Sequence, residues 1–591
     1  MKTSKNMTNQ QVAKLLKTVA AAYEIKKQNR FKVAAYQKAA ASVEHASSEV
    51  KDLWEEDRLT SLPGVGKNIA AHLDELFKTG KVKHFEQIFK GLPQGMFSLM
   101  DLSGVGPKTA HKLSRQFKLK APATAVKKLA QLAQKGKIQQ LEGFGKESEQ
   151  DILRSIKEFA GRGKQRMTLP YAQTLARKII DFLKQSAAVL EAEPLGSLRR
   201  QTPTVGDIDL AVATKDPPAA VKHFLSFPQI KKITDQGKKK VTVNLTTGHQ
   251  IDVRFHSPDE FGALLQHFTG SKNHNIRLRQ IAQKKKLSVS EYGIKKKAKT
   301  LKFPQEKEFY QFLGMDWIPP ELREDRGEIE AAQKHQLPHL VQLADIKGDL
   351  HVHTDFQFKT SHDLGIDSMK TLIKTAKQLN YQYLGFADHN PSFSGYSPQQ
   401  IIDIIKTRKS KIEEIKSSSE KNMKIRVINL LEVDIRPDGS LAVPDKGLEE
   451  LDLAIVAIHS SFKQPKKTIT QRVLTGLAHP KAKIFAHPAS RKINHRPAID
   501  LDWEKLFDFC LKNQKILEIN SWPDRLDLPD TLVRQAVKKG VKFVITTDSH
   551  AFDQLKLMTY GVAVARRGWA EPKDIINTLP WLKLKSILKI E

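Results

Sequence analysis

The chain has 591 residues, enough for three or four domains rather than one core. Lys and Arg number 98 against 65 Asp and Glu, and this charge of +33 exceeds what solubility needs, so it points to a polyanionic partner. The single cysteine, Cys510, excludes an intramolecular disulfide and a cysteine-ligated zinc site. A polar, Lys-containing start and the lack of any apolar run near the ~20 residues of a membrane span lead us to expect a cytoplasmic protein.

The first elements are helices joined by a repeated turn. Leu62-Pro63-Gly64-Val65-Gly66-Lys67 precedes the helical pattern IAAHLDELF, and Leu102-Ser103-Gly104-Val105-Gly106-Pro107-Lys108 precedes TAHKLSRQF. A weaker third copy, Leu141-Glu142-Gly143-Phe144-Gly145-Lys146, leads into a helix from about Glu147. Their first glycines are 40 and 39 residues apart, as expected of one unit used repeatedly. Glycines permit a tight turn and close approach, and the following helix offers free N–H groups and a positive dipole end to an anion. These turns match the helix-hairpin-helix motif, which grips a duplex backbone without reading bases. Gly64, Gly66, Lys67, Gly104, Gly106 and Lys108 are therefore candidate DNA contacts.

From about Thr168 the pattern becomes mixed α/β. Gly196-Ser197-Leu198-Arg199-Arg200 is followed by Val205-Gly206-Asp207-Ile208-Asp209-Leu210. Alternation on a strand turns both carboxylates to one face, where they repel each other unless a cation lies between them. Mg²⁺ suits such a site, since it takes oxygen ligands and keeps substrate phosphates in its shell. Asp252, in Gln250-Ile251-Asp252-Val253-Arg254, is a third carboxylate on a segment with the same alternation. A Gly-Ser turn can approach a triphosphate closely, and Arg can bind phosphate through two bonds. The lysine runs 238–240, 284–286 and 295–297 read as solvated faces with only a modest case for backbone binding.

Pro319-Pro320 and the charged stretch to Leu340 read as a linker. Beyond it, short apolar runs end repeatedly on metal-ligating residue types: GDLHVH, YLGFADH, VINLLE, AIVAIH, KIFAHP and FVITTDSH. Six of the 20 histidines stand at such ends, too many for chance placement, and Glu432 and Asp548 stand at equivalent ones. Parallel strands in a barrel bring their ends together at one mouth. Histidines and carboxylates without cysteine suit a cluster of Mn²⁺, Zn²⁺ or Fe, which can activate water and neutralise a phosphodiester.

The motifs GSLRR, GDIDL and Phe268-Thr269-Gly270-Ser271-Lys272 resemble those of family X DNA polymerases. That resemblance implies two-metal nucleotidyl transfer with Mg²⁺ or Mn²⁺. Asp207 and Asp209 would bridge both ions, and Asp252 would bind the catalytic one and help activate the primer 3′-oxygen. Gly196, Ser197 and Arg200 would hold the deoxynucleoside triphosphate. Gly270, Ser271 and Asn275 would check its sugar and minor-groove edge, although His267 stands where a tyrosine is often found. The segment Arg30–Ala41 resembles the start of polymerase beta-like enzymes, placing Lys32 and Tyr36 near a 5′-phosphate in a gap. His72 replaces the Schiff-base lysine of members with deoxyribose-phosphate lyase activity, which speaks against that chemistry here.

The last third resembles the polymerase-and-histidinol-phosphatase (PHP) domain, a distorted β/α barrel holding up to three ions, with Mn²⁺ or Zn²⁺ expected. Its ligands carry over to His351, His353, His389, Glu432, His459, His487, Asp548 and His550. The usual Ser-Asp-Gly is replaced by Ser361-His362-Asp363-Leu364-Gly365, so Asp363, or else His362, is the remaining candidate.

The implied architecture is multidomain. Residues 1–85 form a helical gap-binding part, 86–165 helix-hairpin-helix fingers, 166–258 an α/β nucleotidyltransferase palm, 259–318 a thumb, 319–340 a linker and 341–591 the PHP domain. The expected function is gap filling in DNA repair, with a metal-dependent 3′→5′ exonuclease in the PHP domain. A phosphatase or pyrophosphatase acting on small phosphates, or a DNA-end-binding scaffold, are the alternatives. The expected partners are gapped or primed duplex DNA and deoxynucleoside triphosphates, with no membrane, for a monomer in the bacterial cytoplasm associated with the nucleoid.

Overall fold

The computed structural model describes residues 7–44, 46, 49–62, 64–102, 104–161, 166–419 and 425–590. Pro63 and Ser103, in the first two glycine turns, lie outside them. Two compact units are taken separately: residues up to Met167 with Pro228–Thr234 and Val243–Gln250, and the remainder.

The first unit is helical. Helix Asn9–Ile25 starts at a capping box in which Thr8 and Gln11 satisfy each other's backbone N–H. Helix Lys67–Thr79 buries Ile69, Leu73, Leu76 and Phe77, one stripe at helical spacing, and ends at Gly80 in the left-handed conformation. Each fully buried side chain of this size contributes about 1.5–3 kcal/mol. One core gathers Leu16, Val19, Leu73, Phe77 and Phe85, and another Met96, Leu113, Leu129 and Ile152.

In the second unit, strand Ile208–Ala213 lies antiparallel to Glu191–Pro194 and parallel to Gln250–His256. Helix Phe261–Thr269 packs on it through Leu264 and Leu265. Helices Lys272–Lys284 and Glu306–Phe312 and the three-stranded sheet from Leu287 to Leu301 follow. Residues 319–340 are not the loose linker expected from their prolines and charges. Leu322, Ile329, Ala332 and Leu340 are buried in the same core as Leu278, Phe309 and Tyr310, and helix Glu328–Gln333 forms within the stretch.

Seven parallel strands follow, paired in chain order: Gly348–Val352, Tyr383–Phe386, Arg426–Asp434, Leu453–Ala457, Ala482–Phe485, Ile516–Asn520 and Phe543–Thr546. A parallel bridge between Val352 and Ser549 brings the first strand to the last, so the sheet is a nearly closed barrel. Its strands are largely apolar because both faces are covered, and the polar residues they carry include Asp349, His351, Glu432 and Glu518. Ile428 and Leu430 face one cluster with Leu350, Ile455 and Ile484, whereas Val427, Leu431 and Val433 face another with the surrounding helices. The expected α/β palm, thumb and C-terminal barrel are thus present, after a helical N-terminal part.

Candidate active sites

Parallel pairing sets Asp209 directly opposite Asp252. Asp207 precedes the strand, in a bend before Ile208, rather than on it as alternation suggested. Burial, reinforced by Asp207 and then Asp252, pushes the Asp209 carboxyl up to about 7. Asp209 thus carries the repulsion of two neighbouring carboxylates, which a bound cation would relieve. The Thr242 hydroxyl donates to Asp252 Oδ1, and Lys240 Nζ lies 3.4 Å from the same oxygen. Gly196 has φ +57°, and a Cβ there would stand 2.8 Å from Asp209 Oδ2, so a side chain at this position would press on the triad.

The expected nucleotide contacts have partners inside the protein. Arg200 donates from Nε to Glu324 (3.0 Å) and from Nη1 to the Thr269 carbonyl (2.5 Å). Ser197 is half-buried beside it, and its carbonyl accepts from Thr202 N–H. Ser271 caps helix Lys272–Lys284 by accepting from His274 N–H. The Asn275 amide donates to the His267 carbonyl (2.6 Å) and accepts from Gln266 (2.9 Å), so it would have to exchange a bond to meet a nucleotide.

In the helical unit, Gly64, Gly104 and Gly143 have φ between +77° and +81°, the conformation these turns require. Gly66 and Gly106 have ordinary φ, and a Cβ at either would meet nothing within 4 Å. Among the described residues, neither backbone conformation nor packing requires glycine at these two positions. Lys67 and Lys108 are exposed in the first turns of the following helices. Lys32 is exposed, but Tyr36 is buried, bonding through its hydroxyl to His72 Nδ1 (2.7 Å). His72, where a lyase would need lysine, stacks on His84 with centroids 4.9 Å apart.

At one mouth of the barrel the strand ends converge. His351, His353, Glu432 and Asp548 bring one donor atom each within 4.8 Å of one another, as do His353, His389 and His550, and likewise His389, Glu432 and His459. His487 Nε2 lies 2.8 Å from Glu432 Oε1. Asp363 points its two oxygens at His389 Nε2 (3.4 Å) and His550 Nε2 (3.5 Å). His362 instead stands 3.3 Å from Asp434, in a further group with His459.

Several buried atoms in this cluster have no hydrogen-bond partner: His351 Nε2, His353 Nδ1, His389 Nδ1, Glu432 Oε2, His487 Nδ1 and His550 Nε2. Orphaned donors and acceptors are costly in a core unless something outside the chain satisfies them, and their types suit divalent metal ions. Burial opposes charge on Glu432, yet His389, His351 and His459 hold its carboxyl well below the usual range. Burial, helped by His550, lowers His353 to about 3, whereas neighbouring carboxylates overcome burial and raise His351, His389 and His550. His487 and Asp548 carry φ of +29° and +54°, strain that non-glycine residues bear where a site demands it.

Family models match residues 7–82 (helix-hairpin-helix domain), 97–158 (SAM-like helix-hairpin-helix tandem), 264–324 (DNA polymerase beta thumb) and 349–522 (PHP domain). The DNA polymerase/3′-5′ exonuclease PolX of Bacillus subtilis is 34% identical over 590 residues, 99% of this chain and 100% of the relative. The chain belongs to the PolX family. More distant is DNA polymerase lambda of Arabidopsis thaliana, 22% identical over 49% of this chain and 57% of its own. The repair DNA polymerase X of African swine fever virus (Tick/Malawi isolate) is 28% identical over 22% of this chain and 79% of its own. The polymerase and PHP families are metal-dependent, the barrel mouth brings together His, Asp and Glu groups able to hold a metal ion, and helix-hairpin-helix and thumb domains of a DNA polymerase imply DNA binding. No described helix is long and apolar enough to cross a membrane.

Three carboxylates that pattern reading passed over support the histidines: two orient imidazoles and the third holds the main chain beside one of them. Glu518 Oε1 is 2.6 Å from His351 Nδ1, and its other oxygen accepts the backbone N–H of His487. Asp434 is 2.7 Å from His459 Nδ1. Asp349, fully buried and pushed up to about 7 by burial, accepts the backbone N–H of His351. Ring partners such as the first two fix orientation and tautomer. Glu518 was detectable, because Ile516-Leu517-Glu518 is another apolar run ending on a carboxylate.

Proposed function

We propose that the chain fills short gaps in DNA as a DNA-directed DNA polymerase and trims 3′ ends in its barrel as a 3′→5′ exonuclease. The observation that carries the polymerase reading is the register that sets Asp209 against Asp252, with Asp207 beside them. Asp207 and Asp209 would hold two Mg²⁺ or Mn²⁺ ions, and Asp252 would hold the catalytic one and help activate the primer 3′-oxygen. The Thr242 hydroxyl and Lys240 Nζ both reach Asp252 Oδ1 and hold that carboxylate in place. Ser197 and Arg200 bind the triphosphate, Gly196 gives it room, and Gly270, Ser271 and Asn275 face the sugar. Bound ions supply the positive charge that in-line transfer at phosphorus demands.

In the barrel, His351, His353, Glu432 and Asp548 are assigned to one ion, Asp363, His389 and His550 to a second, and Glu432, His459 and His487 to a third, each Mn²⁺ or Zn²⁺. Glu518 and Asp434 orient the rings. Gly64, Gly66, Lys67, Gly104, Gly106 and Lys108 hold the duplex backbone and Lys32 the gap end, while Tyr36, buried against His72, packs the helix that presents Lys32. The domains follow the boundaries read from the sequence, except that 319–340 belongs with the thumb. The protein acts as a monomer in the bacterial cytoplasm, on nucleoid DNA.

The test is extension and 3′-end degradation on gapped DNA with Mg²⁺ or Mn²⁺. D207A/D209A should abolish extension alone, and H351A/H353A degradation alone. Degradation that survives H351A/H353A would remove the exonuclease from the barrel, and phosphate release from small esters would then assign it a phosphatase role.

A further inference from the structure

The adjacent arginines of the Gly-Ser-Leu-Arg-Arg motif enter different ionic networks. Arg199 binds Glu306 through both terminal nitrogens (2.9 and 3.0 Å), and Arg323 binds the same carboxylate at 2.6 Å. Arg200 binds Glu324, and there the barrel takes part. Arg567, the last residue of helix Met558–Arg567, sends Nη1 to Glu324 Oε1 (3.1 Å) and to the main-chain carbonyl of Arg200 (2.8 Å). Its Nη2 bonds Asp530 Oδ2 at 2.9 Å, an oxygen that Arg326 also reaches at 3.0 Å. Arg567 is only 4% exposed, and Trp569 beside it is buried in the thumb core under the Arg534 guanidinium. This is a packed junction with fixed geometry, where charge-assisted bonds are strongest.

Glu324 is the shared element. One of its oxygens faces Arg200 and Arg567 together, so its charge is divided between two guanidinium groups. Without Arg567, the whole of that charge would fall on Arg200 and compete with any phosphate for the same guanidinium. The Arg200 backbone would also lose its anchor.

We propose that Arg567, a barrel residue far in sequence from the palm, is a positioning residue for nucleotide binding: it anchors the Arg200 backbone and offsets Glu324, so that the Arg200 guanidinium is presented to the triphosphate. This rests on the reading of Arg200 as a triphosphate ligand. The phosphoesterase domain is on this account part of the polymerase's nucleotide site, and the two domains are more than fused neighbours.

The experiment is single-nucleotide insertion on gapped DNA by the full chain, comparing wild type with R567M, R567K, R200M and R200M/R567M. R567M should raise KM about tenfold for all four deoxynucleoside triphosphates alike, the loss expected for one charge-assisted contact, and leave kcat within about twofold. R567K, which keeps the charge, should recover part of the loss, and the double variant should be no worse than R200M. An unchanged KM in R200M would sink the assignment of Arg200 itself. A raised KM in R200M with no change in R567M would overturn only the proposal, as would additive losses in the double variant. A fall in kcat with a lowered melting temperature and lowered metal content would also overturn it, by showing a merely structural role.

Discussion

Replacing Asp209 by Asn should destroy nucleotide addition and yet stabilise the metal-free protein. The Asp209 carboxyl is pushed from 3.8 up to about 7 by burial first, then by Asp207 and Asp252. A shift of about three units corresponds to at most about 4 kcal/mol, and solvent access to this half-buried carboxyl reduces it to about 1–3 kcal/mol. For a carboxyl whose folded pKa is raised, the stability it contributes is fully present below its unfolded pKa and is lost as pH rises through the folded one. Wild type without metal should therefore weaken between about pH 4 and pH 7, and D209N should escape this loss. Calorimetric melting in a chelator is the assay, at about pH 5 and again at about pH 8, with parallel runs in saturating Mg²⁺. D209N should melt above wild type at the higher pH, by a margin that shrinks at the lower one, and Mg²⁺ should stabilise wild type more. Equal melting of the two proteins in chelator at the higher pH, or a margin independent of pH, would refute the crowding of charge on which the palm site rests.

Other consequences are equally direct. E306Q removes the negative charge that faces Arg199 and Arg323 and one of the two oxygens that they and Trp317 share, and should cost about 3–5 kcal/mol in denaturant unfolding, because it leaves buried cations without a counter-charge. Arg323 and then Arg199 hold Glu306 down to about 2 against burial, so its contribution is present above the usual glutamate range and lost as pH falls toward that value. E432Q should lower bound metal per chain, measured by elemental analysis, and abolish Mn²⁺-dependent degradation with extension retained. K67A and K108A should each weaken duplex binding equally across sequences and reduce the salt slope by about one. Cys510, buried and with its thiol pushed up to about 12 by that burial, should resist thiol reagents until the chain is unfolded.

Much of the molecule was legible in local order. Period-two alternation marked the segments of Asp209 and Asp252, glycine pairs before helical stripes marked the three hairpin turns, and apolar runs ending in His or carboxylate marked the barrel. These signals are covalent. A strand's alternation, a turn's need for positive φ and a buried strand's apolar run depend on neighbours a few residues away.

What the tertiary structure decided lies in pairs distant along the chain. That Asp209 sits against Asp252 and not a residue to either side is a matter of register. Glu518 orients His351 because the first and sixth barrel strands open at the same mouth. Pro319-Pro320 and the charges after it read as a linker, yet Arg323 is fully buried because Glu306 and Ile318 supply its acceptors. Arg567 carries no local sign of a role in the palm, and its meaning comes entirely from Glu324 and the Arg200 carbonyl. Local pattern determined which chemistry each segment can perform; which charges share a site was decided by packing, since an ion pair's energy depends on distance in space and is indifferent to distance along the chain.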